Sequence, residues 1–158
     1  MRSALVLAAA AALAVLALGA CDQEPGPAEE TDGPFSELPP RELPDGTDAL
    51  ARADGWEVTD QGVLAEPGDT FELVVPPGEV PATPDDGSTE IVYHLDRIEA
   101  DGTLVETVDI VAVTVTAEGA PTETITLPDE AEAHYHLFAE VTRADGTFVV
   151  YQDWLYAR

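Results

Sequence analysis

Lysine is absent, cysteine occurs once, and only six cations face 32 carboxylates, giving a formal charge of −26. Each scarcity excludes something. Without lysine there is no Schiff-base chemistry. With Cys21 alone there is no disulfide within the chain, so the fold must rest on its core. Beyond residue 20 only Ser36 and Ser88 remain, and neither lies in a Gly-x-Ser-x-Gly elbow. No glycine-rich phosphate loop or dinucleotide fingerprint is present. So strong a negative field repels phosphate backbones, which excludes nucleic acid as a partner. No catalytic motif is left, and the chain is not expected to be an enzyme.

What is present begins at the first residues. Met1-Arg2-Ser3 precedes an uninterrupted apolar run from Ala4 to Leu18. One cation followed by such a run has the layout of a signal peptide, and the run is short of the roughly 20 residues that cross a bilayer. It closes in Leu18-Gly19-Ala20-Cys21. This tetrapeptide resembles the lipobox of bacterial lipoproteins, and the resemblance covers residues 1–21. It implies a diacylglyceryl thioether on Cys21, cleavage after Ala20, and acylation of the new amino terminus with palmitate-class chains. The competing reading is an ordinary secretory signal that leaves a free thiol, a liability in an oxidising compartment. Buried acyl chain contributes about 0.8 kcal/mol per methylene, so two or more chains hold a protein on a membrane without a spanning helix. In Gram-negative lipoproteins an aspartate at the position of Asp22 resembles an inner-membrane retention signal; in a Gram-positive cell it would carry no meaning. The expected location is the outer surface of the cytoplasmic membrane.

Between Asp22 and Ala49 lie six prolines and nine acidic residues, with Phe35 the single aromatic. Low hydrophobicity and high charge do not offset the entropy of ordering, so residues 21–53 are expected to be a lipidated, disordered tether. One helical turn over Thr47–Ala53 is a possible exception. Residues 54–158 carry β patterning throughout. Strands are expected at Val63–Ala65, Thr70–Val75, Glu90–Ile98, Thr103–Thr116, Thr122–Leu127, Ala133–Thr142 and Thr147–Ala157. Two turns share one chemistry, Ala100-Asp101-Gly102-Thr103 and Ala144-Asp145-Gly146-Thr147, each suited to a type I turn with glycine in a G1 bulge. In the run 103–116 the apolar parity changes from even (Leu104, Val108, Ile110) to odd (Val111, Val113, Val115). A bulge, or a crossing between sheets, is required.

About seven strands in about 105 residues predict an all-β, antiparallel, Ig-like sandwich. The stretch from Leu127-Pro128 through Tyr135-His136-Leu137-Phe138-Ala139-Glu140-Val141 to Gly146 resembles the E–F corner, strand F and F–G hairpin of fibronectin type III and other immunoglobulin-like domains. Leu127 and Pro128 stand farther from Tyr135 than in the fibronectin pattern. The resemblance makes Tyr135 the buried corner tyrosine and implies a fold, not an activity.

The histidines are the sharpest constellation. His94 alternates outward in Val92-Tyr93-His94-Leu95-Asp96, and His134 and His136 share a face with Phe138 and Glu140. If their strands are neighbours, His94, His134 and His136 could hold zinc or copper with Asp96 or Glu140. The alternative is that they are polar residues of an exposed face. A cupredoxin-type copper site is excluded, because the domain has no cysteine. Asp85-Asp86-Gly87-Ser88, and Asp45 with Asp48, could ligate calcium, but Asp-Gly is ordinary turn chemistry.

Phe138, Tyr151 and Trp154 would mark a partner surface if exposed together. An N-terminal strand or the tether could equally cover them. Two functions follow. One is a membrane-anchored binding or scaffolding module for another envelope protein or a glycan. The other is a cell-envelope metal-binding protein or metal-dependent enzyme using the three histidines.

Overall fold

The computed structural model describes residues 33–158. The signal segment, Cys21 and residues 22–32 lie outside the described residues. Among the described residues nine strands form: β1 (Ala51–Arg52), β2 (Glu57–Val58), β3 (Val63–Ala65), β4 (Thr70–Leu73), β5 (Thr89–Ile98), β6 (Leu104–Val115), β7 (Thr124–Thr126), β8 (Ala133–Thr142) and β9 (Phe148–Ala157). A three-stranded sheet, β1-β4-β7, packs on a six-stranded sheet, β2-β3-β9-β8-β5-β6, in a sandwich that fits the immunoglobulin-like class. All pairings are antiparallel except β3 with β9.

The core lies where alternation places it. Ala133, Tyr135, Leu137, Ala139 and Val141 of β8 are buried together with Ile91, Tyr93 and Leu95 of β5. Phe71, Leu73, Ile125 and Leu127 meet them from the small sheet and its margin. The twin turns are alike in detail. Gly102 and Gly146 take φ of 86° and 82°. The Asp101 and Asp145 carboxylates accept the Thr103 and Thr147 amides at 2.9 and 2.8 Å. β6 stays in one sheet and carries two irregularities, where Val108 and Val105 lack partners on β5. Both precede Ile110, and the even-numbered Leu104 and Ile110 stay exposed on the outer face while Val113 and Val115 turn to the core.

The tether expectation is corrected for residues 33–53. This segment packs against the sandwich, and the folded unit begins before Asp54. Thr47–Ala53 forms no helical turn; Ala51 and Arg52 pair with Leu73 and Glu72 as β1. Leu50 is fully buried, which is worth about 1.5–3 kcal/mol for such a side chain. Phe35 is buried in a second cluster with Ile98 and Trp154. Gly62 leaves the room it occupies, since a Cβ there would stand 2.7 Å from the Phe35 ring.

The polar link is stronger still. Asp153 takes a core-side position of β9 and is wholly buried. Its carboxylate accepts the Arg41 Nε at 2.8 Å, the Leu50 amide at 2.9 Å and the Trp154 amide at 2.8 Å. The Arg41 guanidinium also donates to the Thr59 and Asp48 carbonyls, both at 2.6 Å. Composition hid this, because six prolines mask a few side chains that each find a complementary site.

A chain beginning at Asp54 is therefore expected to fail. It lacks β1, Leu50 and Arg41, and leaves the Asp153 charge buried without its partner, which by itself costs about 3–5 kcal/mol. A single cooperative melt from that truncated chain, followed by circular dichroism, would show that residues 33–53 are dispensable.

Candidate functional site

Four long strands of the large sheet lie side by side as β9-β8-β5-β6, and their register sets out the outer face in five rungs. From one end these are Tyr156–His134–Ile98–Leu104, Trp154–His136–Asp96–Thr107, Gln152–Phe138–His94–Ile110, Val150–Glu140–Val92–Ala112 and Phe148–Thr142–Glu90–Thr114. Residues 33–44 cover Tyr156, His134, Ile98 and Trp154 of the first two rungs, while Leu104 at the β6 end stays 58% exposed. There the Phe35 ring meets Tyr156 edge-on at 6.5 Å. The Trp154 Nε1–H donates to the Pro39 carbonyl at 2.8 Å, and His134 Nε2 bonds the Pro34 carbonyl at 2.6 Å. Glu42 adds a β-bridge to Gln152.

All three histidines share this face, and β5 does neighbour β8, but the register keeps the imidazoles apart. His94 stands opposite Phe138 and His136 opposite Asp96. Aromatic rings fill the gaps: His94 on Phe138 at 4.4 Å, His136 on Phe138 at 4.9 Å and His136 on Trp154 at 4.4 Å. His134 packs on Tyr156 at 4.8 Å. Among the described residues no three histidine, cysteine or carboxylate side chains are grouped to hold a metal ion. A strand pairing offset by two residues would have set His94 beside His136; one phenyl ring separates a ligand cluster from a stack.

The expected aromatic surface of Phe138, Tyr151 and Trp154 is also corrected. Phe138 is half-buried, Trp154 is 4% exposed under the N-terminal segment, and Tyr151 lies on the opposite, core-side face beside Ala139. What stays open is the far end of the outer face, with Ile110 55%, Phe148 58% and Val150 41% exposed. Glu90 and Glu140 stand among them.

Tyr151 belongs to a different arrangement, which the sequence reading missed. Its hydroxyl donates to buried Glu79, which also receives Arg143 Nε at 2.7 Å. The Arg143 guanidinium holds the Glu79 carboxyl below the usual range, against the opposing effect of burial, and Tyr151 adds to the lowering. The short turn Pro77–Glu79 is thereby tied to the β8–β9 hairpin. The loop Asp85-Asp86-Gly87 closes as turn chemistry, with the Thr83 amide donating to the Asp86 carboxylate at 2.8 Å.

Ion pairs consume the cations. Arg41 pairs with Asp153, Arg52 with Glu72, Arg97 with Glu130, Arg143 with Glu79, and Arg158 with Glu57 and Glu66. Every arginine among the described residues is thus matched to a carboxylate, and the remaining surface charge is acidic. No helix among the described residues is long and apolar enough to cross a membrane. No protein-family model matches this chain, and no curated protein matches it.

Tyr135 is buried as expected, but its hydroxyl has no hydrogen-bond partner among the described residues. The bonded tyrosine is Tyr93, whose hydroxyl donates to the Val74 carbonyl at 2.9 Å. Tyr93→Phe is expected to lose about 0.5–1.5 kcal/mol, and Tyr135→Phe to be neutral or slightly stabilising. Chemical denaturation of both variants checks the order, and a larger loss at Tyr135 would reverse it.

Burial holds the His136 pKa below the ordinary histidine value of 6.5, against the pull of Asp96. A base with a depressed folded pKa binds protons better when unfolded, so its contribution to stability is complete above the unfolded pKa and is lost as pH falls below it. The melting temperature is expected to fall between about pH 7 and about pH 5, and His136→Phe to flatten that fall. An equal slope in wild type and variant would assign the effect elsewhere.

Proposed function

We propose that this protein is a membrane-anchored extracytoplasmic lipoprotein, lipidated on Cys21, whose acidic β-sandwich serves as a non-catalytic binding or scaffolding module. The membrane is one partner, through the acyl chains. Another envelope protein is the second. The observation that carries the module reading is the outer face of the large sheet. At one end the chain's own residues 33–44 cover Tyr156, His134, Ile98 and Trp154, and the other exposes Ile110, Val150 and Phe148, while every arginine among the described residues is matched. Apolar side chains of that size, left open beside Glu90 and Glu140, mark a place where a partner is seated. The anchor reading rests on Leu18-Gly19-Ala20-Cys21 closing an apolar run.

Cys21→Ser tests the anchor. Expressed in the native host, the wild-type protein is expected in the membrane fraction and the variant in the soluble extracytoplasmic fraction. Retention of the variant in the membrane would assign the attachment to something other than this cysteine.

A further inference from the structure

Sheet edges are where a β protein is exposed to pairing with another chain, and folds blunt them with short strands, bulges and charges. Three of the four edges here are short: β1 and β2 have two residues each and β7 has three. The fourth is β6, twelve residues long and paired only with β5. Its first half is blunted. Val105 and Val108 interrupt the ladder, and Glu106 and Asp109 take core-side positions opposite Arg97 and Leu95. Its second half is not. Ile110–Val115 pairs residue for residue with Thr89–His94 and holds no proline, glycine or charge. Six residues offer about 20 Å of free backbone donors and acceptors. Ile110, Ala112 and Thr114 stand exposed on the outer face, and Val113 and Val115 are buried on the core side.

We propose that the free edge Ile110–Val115 is a docking site for an extended, basic segment of a partner protein, which adds to the large sheet as a further strand. The inference rests on the reading of the sandwich as a binding module and names the partner's chemistry. Main-chain hydrogen bonds to β6 supply the pairing, and β-branched side chains of the guest extend the rungs that end at Ile110, Ala112 and Thr114. Charge decides the kind of guest. Glu90 and Asp109 flank this stretch, the chain carries −26, and each arginine among the described residues is already matched. A second copy would bring the same negative field, and no spare arginine among the described residues, to an edge that repels it. Lysine or arginine on the guest is attracted, and that attraction weakens with salt.

The test uses the full-length protein and a blocked synthetic peptide of about ten residues alternating valine with lysine, an ordinary strand length. Its control is the same peptide with alternate backbone amides methylated, which keeps the charge and removes the donors. The expected result is saturable binding, with amide exchange slowed at Ile110–Val115. Affinity is expected to fall about tenfold or more for the methylated peptide, and similarly for Ile110→Lys, which places the guest's own charge on an exposed position without touching the core. Equal binding of both peptides would reduce the interaction to charge attraction and overturn the proposal. Protection elsewhere on the outer face would overturn the edge while leaving the module reading in place. Self-association through β6 would make the occupant a second copy and equally overturn it. None of these outcomes bears on where Cys21→Ser fractionates, so the two readings fail separately.

Discussion

A single buried carboxylate organises this molecule. Asp153 sits at a core-side position of β9, where alternation calls for an apolar residue, and a lone charge there would carry a severe desolvation cost. It is tolerated because three donors converge on it, one from Arg41 and two from backbone amides. Arg41 in turn is held by two carbonyls from either side. The carboxylate, the guanidinium and the Leu50 amide therefore exist in this form only together. That dependence draws a proline-rich, acidic stretch of little intrinsic order onto the sheet and delivers β1 to the small one.

Once residues 33–44 are drawn in, the outer face divides. Phe35 enters the slot beside Gly62 and Trp154, and the carbonyls of Pro34 and Pro39 satisfy polar nitrogens of His134 and Trp154 that would otherwise be stranded under apolar cover. The covered end becomes a second small core. At the other end Phe148, Val150 and Ile110 stay about half exposed. Arginines are few, and each described one is paired with a carboxylate of this chain, Arg143 with Glu79 and Arg97 with Glu130 among them. The outward field is left to the carboxylates.

Much of this was legible beforehand. Val63–Ala65 and Ala133–Thr142 run between the expected residues, the other five expected strands differ by only one or two residues at their ends, and the Asp-Gly-Thr turns close as their residues require. The parity of the apolar residues in β6 required a bulge, and β6 has two, but at Val108 and Val105, and they leave Leu104 and Ile110 on the outer face. Less legible were β1 and β2, two residues each, which no periodicity can announce. Phe138, Tyr151 and Trp154 form no common surface, because Tyr151 and Trp154, three residues apart on a strand, take opposite faces and the segment over Trp154 comes from far away in the chain. Asp153 offered a signal that could have been used. An aspartate at core-side parity, between Tyr151 and Leu155, demands a buried cation, and Arg41 was available.

The amino-acid sequence by itself determined the features that depend on neighbours in the chain: the apolar run closed by Cys21, the alternation of the strands, the chemistry of the turns and the sign of the surface charge. Tertiary structure alone decided what depends on register and on distant partners. Whether three outward histidines meet or are parted by Phe138 turns on how β5 slides against β8, a choice made by the core side chains on the other face. Whether a proline-rich segment hangs free or seals a sheet turns on one carboxylate more than a hundred residues away. Local pattern is set by interactions that a short stretch of chain contains within itself, whereas register and cover arise from burial, which exists only after the chain has folded.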